Sequence, residues 1–265
     1  MTPLRTALFQ GPGGVPGSRA AGLAVLDDAA RRAAAGGARL LVTSELSLTG
    51  YALDDPAAHA EPADGPGSEA VARIAARHGI AVVHGYVERD PGTGALHNSV
   101  RLTGPDGSPL AGYRKTHLYG GYESEHYTPG DRLVVQAELD GVRVGLLVCY
   151  DVEFPEAVRA HALAGTQLLA VPTALMRPFE FVPDALVPVR AWENGMYIAY
   201  VNRQGREGGD EFAGRSCLAA PDGTVTVRAG GGEELLVADA DPERVRRARA
   251  ASPYLADRRP ELYSA

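Results

Sequence analysis

The chain has 265 residues, 45 % of them hydrophobic, and a formal net charge of −7, so it is long enough to bury a large core. The acidic balance argues against a nucleic-acid-binding module. Two cysteines make no disulfide framework, and no apolar run approaches the ~18 residues that suggest a membrane span. The N-terminus enters a strand pattern directly, with no basic region followed by a long apolar core, which reads as a cytoplasmic, reduced protein. No linker-like shift in composition divides it, so a single domain over 1–265 is expected.

In chain order, strand patterns fall at 5–10, 40–44, 81–88, 98–102, 112–114, 144–148, 168–171, 196–201, 216–219 and 234–238. Helical patterns fall at 19–35, 69–77, 153–164, 182–194 and 242–250. Each half of the chain carries helices and a set of strands. Periodicity alone supports an α/β or α+β fold. The glycine-rich segment 11–17 follows a strand, but a G-x-G-x-x-G match from Gly11 needs glycine where Pro16 stands. Turn chemistry is the better reading there. There is no C-x-x-C, H-E-x-x-H or G-x-S-x-G, and the seven histidines are scattered, so no metal and no organic cofactor is expected. His117 reads as a structural hydrogen-bonding residue. Arg244, Arg246, Arg247 and Arg249 read as a solvated helix face.

Three segments carry chemistry. VGLLVCYDVEFPE (144–156) is an apolar strand pattern that ends on Cys149, with a helix start close behind. Pro155 suits the first turn of that helix, and Asp151, Glu153 and Glu156 favour its positive end. A cysteine on such an elbow lies near backbone N–H groups that stabilise a thiolate or an oxyanion. A lone cysteine of this kind is more often a buried structural thiol. Two further segments reverse that preference. LLVTSELSLTGY (40–51) ends an apolar run on Glu45, and GYRKTHLYGGYESEHYTPG (112–130) ends a strand on Lys115 and places Glu123 in a loop. Together they supply a nucleophile, a base and a cation, each where a strand gives way to a loop. Open α/β sheets hold their ligands at such ends.

Glu45 in SELSLTGY, Lys115 in YRKTHLY and Cys149 in CYDVEFPE resemble the Glu–Lys–Cys triad of the nitrilase, or carbon–nitrogen hydrolase, superfamily. The likeness extends through HNSVRL (97–102), VPTALM (171–176), RAWENGMYIAYVNRQG (190–205) and EFAGRSCLAAPDG (211–223) to the C-terminal PYLADRRPELY. It implies a four-layer αββα sandwich and hydrolysis of a small amide with water. The subgroup most resembled is the short bacterial aliphatic amidases of the 5-aminopentanamidase-like group. The resemblance implies that Cys149 attacks the carbonyl carbon and that Glu45 shuttles the proton. It also implies that Lys115 and the Tyr150 backbone N–H hold the oxyanion, and that Glu123 positions substrate or Lys115. It further implies a homo-oligomer, to which the C-terminal tail contributes. Cys217, in RSCLAA, reads as a small core residue.

The expected substrate is a short linear aliphatic primary amide with an ω-amino or guanidino group. Glu123, Glu125, Glu180 and Asp184 are expected to bring negative potential to the pocket, and Met176, Phe179 and Phe181 to form its apolar wall. The loop from Tyr119 to Tyr122 is expected to border it. Hydrolysis of a nitrile or an N-carbamoyl amine is the close alternative. Tyr150 resembles the amidase pattern, where nitrilases commonly carry Trp. A catalytically silent interaction protein is the alternative of a different class.

Overall fold

The computed structural model describes residues 2–263. The first half runs β1 (Leu4–Gln10), α1 (Arg19–Ala35), β2 (Leu40–Val42), α2 (Pro56–His59), α3 (Pro66–His78), β3 (Ala81–Arg89), β4 (Leu96–Thr103), β5 (Pro109–Arg114) and α4 (Gly120–His126). The second half opens with β6 (Gln136–Leu139), β7 (Val142–Leu146), α5 (Pro155–Leu163), β8 (Leu168–Pro172), α6 (Val187–Asn194) and β9 (Tyr197–Val201). It closes with β10 (Gln204–Glu207), β11 (Asp210–Ala213), β12 (Cys217–Ala219), β13 (Val225–Arg228), β14 (Glu234–Ala240) and α7 (Pro242–Ala251).

Two six-stranded sheets form the centre. Their orders are β14-β1-β2-β3-β4-β5 and β13-β12-β9-β8-β7-β6, with β10 and β11 as a separate hairpin. Each sheet is built on a parallel trio, β1-β2-β3 in one and β7-β8-β9 in the other, flanked by antiparallel strands. The trios are buried on both faces, which explains the uninterrupted apolar runs LLV, LLAVP and YIAYV. Leu8, Val42, Val83 and Val100 of the first sheet meet Val144, Leu146, Ala170 and Ala199 of the second in one apolar core. On the outer face of the first sheet, Leu26, Ala29, Ala30 and Ala33 of α1 and Val71, Ile74 and Ala75 of α3 cover Ala7, Leu41 and Val82. Ala157 and Val158 of α5 and Val187 and Ala191 of α6 join the core from the second sheet. The result is a mixed α/β molecule of layered sheets and helices, with helices outside a double sheet.

Several expected boundaries move. The helix expected at 153–164 begins as a 3-10 turn, Cys149–Glu153, and α5 starts only at Pro155. The helix expected at 182–194 opens with a wide turn, Val182–Leu186, because Pro183 and Pro188 remove amide donors from its start. The last strand also crosses over: β14 pairs antiparallel with β1, in the first sheet. Arg249 does not lie on a solvated face. It donates to the carbonyls of Gly195 (3.0 Å) and Thr166 (2.7 Å), and so anchors α7.

Candidate active site

Glu45 follows β2 and stands in a tight turn. Leu46 has a φ of 47°, and the Glu45 N–H reaches across the sandwich to the Thr173 carbonyl at 3.3 Å. Arg203 donates to the Glu45 carbonyl at 3.0 Å from the same side. β3 passes so close that a Cβ on Gly85 would lie 2.4 Å from the Leu46 nitrogen, so that position takes glycine. Lys115 directly follows β5, and its backbone N–H donates to the Asn98 carbonyl at 2.9 Å. Cys149 lies just beyond β7 and has a φ of 46°, an elbow conformation that L residues seldom hold without support. Asp151 provides that support. Its Oδ2 accepts the Val148 N–H at 3.1 Å and the Tyr113 hydroxyl at 2.9 Å, and its Oδ1 accepts the Thr116 hydroxyl and the His117 N–H, each at 2.9 Å. One buried carboxylate thus ties the Cys149 elbow to the segment that presents Lys115.

Glu45, Lys115 and Glu123 form a fully buried cluster. The Lys115 ammonium donates to Glu45 Oε1 at 2.8 Å and to Glu123 Oε1 at 2.6 Å. Asn98 adds a 2.6 Å bond to Glu45 Oε1. Glu123 is held further by the Tyr51 hydroxyl (2.9 Å) and the Tyr119 N–H (2.7 Å). Among the described residues Glu45 Oε2 has no hydrogen-bond partner. Burial pushes the Glu45 carboxyl up to about 7; Lys115 opposes the rise and Glu123 adds to it. Burial alone would lower Lys115, but Glu45, Cys149 and Glu123 outweigh it and hold the ammonium firmly charged. Burial and the Glu45 carboxylate push the Cys149 thiol well above its usual value, against Lys115. The site therefore holds a protonated thiol, a fixed cation and a carboxyl poised to exchange a proton near neutrality.

Cys149 opens onto a cavity of about 90 Å³ lined by Tyr51, Tyr119, Tyr150, Glu153, Met176 and Phe179 among others. Tyr51, Tyr119, Met176 and Phe179 also line an outer vestibule of about 460 Å³, with Asp54, Gly120, Gly121, Tyr122, Arg177 and Asp210 at its sides. The Tyr150 N–H is in the first turn of the 3-10 segment, where helix geometry leaves donors without an intrahelical acceptor.

A protein-family model described as carbon-nitrogen hydrolase matches residues 5–250. The chain belongs to the carbon–nitrogen hydrolase family. A hydrolase from Pseudomonas protegens is 43 % identical over 228 residues, covering 85 % of this chain and 80 % of that one. An (R)-stereoselective amidase from a Pseudomonas species is 37 % identical over 227 residues, 85 % of this chain and 81 % of its own length. Among solved structures, a mutant of the Nesterenkonia AN1 amidase from the nitrilase superfamily superposes with a TM-score of 0.88 at 38 % identity. That match covers 98 % of this chain and 95 % of the other. The layered α/β architecture is thus the fold of nitrilase-superfamily hydrolases.

In this carbon–nitrogen hydrolase the structure brings Glu45, Lys115, Glu123 and Cys149 together, and Met176 and Phe179 line the cavity beside them. Phe181 does not join them. Its side chain is 69 % exposed, because the turn from Phe179 into α6 directs it to solvent. The expected acidic rim also changes. Glu125 is exposed on α4, Glu180 pairs with Arg177, and Asp184 pairs with Arg215 (2.7 Å) and Arg228 (3.1 Å). Glu153, Asp54 and Asp210 line the cavity and vestibule instead. His117 hydrogen-bonds Asp151 and stacks on Phe154 at 3.8 Å, a structural role. Sequence reasoning passed over Asn98 and Tyr51, and read Asp151 only as favouring a helix start. Asn98 did leave a signal: it is a polar residue in alternation with inward-facing Val100 and Leu102. Among the described residues no cluster suits a metal ion, and no helix is long and apolar enough to cross a membrane.

Proposed function

We propose that this hydrolase is an amidase that converts a small linear aliphatic primary amide to its carboxylate and ammonia through a thioester on Cys149. The observation that carries the reading is the unpartnered Glu45 Oε2, buried in a cluster that also fixes an ammonium beside the Cys149 thiol. Glu45 accepts the thiol proton as sulfur attacks the carbonyl carbon. The Lys115 ammonium and the Tyr150 N–H take the negative charge that develops on oxygen. Glu45 then hands the proton to the nitrogen, the C–N bond breaks, and ammonia leaves. Water, deprotonated by Glu45, attacks the thioester; the C–S bond breaks and the thiol regains its proton. Glu123 holds Lys115 and the Tyr119 N–H throughout, and so fixes where the oxyanion must lie.

Two features support an amide as substrate. Tyr150 follows the nucleophile, and relatives include amidases, among them a mutant of the Nesterenkonia amidase with the acetamide moiety of fluoroacetamide added covalently at its active-site cysteine. A silent interaction protein has no use for a buried carboxylate oxygen without a partner, which costs stability. The C-terminal segment packs Tyr254 against Trp192 at 4.9 Å, beside α5 and α6, and we place the homo-oligomer contact on that face. Its test is the mass in solution after removal of residues 253–265. The activity test is an amide panel read for ammonia and acid together, with intact-protein mass spectrometry of quenched reactions. One ammonia per acid and an acyl adduct on Cys149 are expected. Turnover of nitriles or N-carbamoyl amines in preference to amides overturns the reading.

A further inference from the structure

We propose that Glu153 selects the substrate by receiving a cationic group, an ammonium or guanidinium, carried on the acyl chain. This deepens the amidase reading above and rests on it. Glu153 is the one carboxylate among the residues that line the cavity onto which Cys149 opens, and its neighbours there are largely apolar: Tyr51, Leu175, Met176, Phe179 and Val182. Among the described residues its carboxylate makes no hydrogen bond and no ion pair. The nearby Arg190 does not pair with it. That guanidinium donates to the Val152 carbonyl (3.3 Å), the Glu153 backbone carbonyl (3.0 Å) and the Glu193 carboxylate (2.9 Å). Two of the fully buried carboxylates of the site are already engaged, Glu123 by Lys115, Tyr51 and Tyr119, and Asp151 by four donor residues, and the third, Glu45, is bound through Oε1 to Lys115 and Asn98.

The approach to the cavity has the same sign. Asp54 and Asp210 line the vestibule without ion pairs among the described residues, while Arg177, the cation there, is bound to Glu180 and to Glu211. Such a mouth concentrates cations and repels anions. When an acyl chain fills the cavity it displaces water from Glu153. A neutral chain leaves that carboxylate dehydrated and unpaired, whereas an ammonium replaces the lost water with a charge-assisted bond. Burial pushes the Glu153 carboxyl up, with Lys115 and Arg190 opposing, which marks a group short of compensation.

The test compares kcat/KM for 5-aminopentanamide and its neutral isostere hexanamide in the wild type and in Glu153→Gln. The wild type is expected to favour the amine by about 30-fold or more, a partial version of the discrimination reached by fully buried polar sites. Glu153→Gln is expected to reduce that ratio at least tenfold. Glu153→Lys is expected to shift preference to the anionic isostere, the monoamide of glutaric acid. An unchanged ratio in Glu153→Gln, or equal losses on both substrates, overturns the proposal. Equal use of both amides by the wild type overturns it without any variant and leaves the amidase reading intact. Failure of the wild type to hydrolyse any linear amide removes the amidase reading itself, and this inference with it.

Discussion

Glu45 and Asp151 are both completely buried, and both serve the same two elements, the end of β5 and the elbow after β7. They differ in what is left over. Asp151 has both oxygens occupied: Oδ1 by Thr116 and His117, Oδ2 by Tyr113 and Val148. Glu45 crowds Lys115 and Asn98 onto Oε1 and leaves Oε2 without a partner. A saturated buried carboxylate holds geometry, because every lone pair it spends fixes a piece of backbone. An unsaturated one retains the capacity to take a proton, at a cost in stability. The two cysteines repeat the contrast. Cys217 lies within regular β12, its thiol pushed up to about 11 by burial, with only a long 4.0 Å contact to the Pro183 carbonyl. Cys149 stands on the elbow that Asp151 maintains.

The largest effect is expected from Cys149→Ala. It removes the nucleophile from a site that otherwise stays assembled, and turnover falls by about 10⁶-fold with the circular dichroism spectrum unchanged. Wild-type rates in a folded Cys149→Ala protein remove the covalent mechanism. Glu45→Gln comes next, with turnover down ~10³–10⁴-fold and little loss of melting temperature, since the amide oxygen keeps the Oε1 bonds, Glu123 still pairs with Lys115, and Oε2 supports nothing. The sign of the pH effect follows from the same group. Glu45 accepts a proton only when ionised, so wild-type kcat/KM falls as pH drops through about 7. An acid limb well below that value separates Glu45 from the base.

Asp151→Asn reverses the pattern. It is nearly isosteric, but it turns an amide NH₂ toward backbone N–H donors and leaves one of them unpaired, at about 1–3 kcal/mol. The melting temperature is expected to fall by about 5 °C. Turnover is expected to fall by about tenfold, as the elbow and Lys115 lose their common anchor. If Asp151→Asn keeps its melting temperature while Glu45→Gln loses it, the division between the two carboxylates fails. The smallest effect is expected from Cys217→Ala: roughly 1 kcal/mol of stability from the small cavity, and turnover within about twofold of wild type. A large loss of rate there means that the chemistry is not confined to the Cys149 side.

Much of the site was legible because strands buried on both faces write themselves as apolar runs. The residue that ends such a run stands out. Glu45 after LLV, Lys115 after β5 and Cys149 after β7 were all visible in this way. Elements held by partners were less visible. β6 (QAEL) and β13 (VTVR) sit at the two edges of the second sheet and need only one neighbour each. The β10–β11 hairpin is mostly polar, and its Gly208–Gly209 pair was the turn signal to read. The two glycines before Glu123 suggested an open loop. The segment instead coils into α4, where Glu123 is drawn inward by Lys115, Tyr51 and the Tyr119 N–H.

Hydrophobic period, strand ends and the order of Glu45, Lys115, Glu123 and Cys149 are properties of the sequence itself, because burial demands apolar residues at fixed intervals wherever a strand is enclosed. Which carboxylate reaches the pocket was decided only in three dimensions. Glu125, Glu180 and Asp184 were expected there beside Glu123, and Glu153 was read only as favouring a helix start. Exposure or arginine partners took the first three, while Glu153 stayed unpaired in the cavity. The open oxygen of Glu45 arises in the same way. It depends on where Asn98 and Lys115 arrive, 53 and 70 residues away in sequence, and on the absence of any third donor within reach.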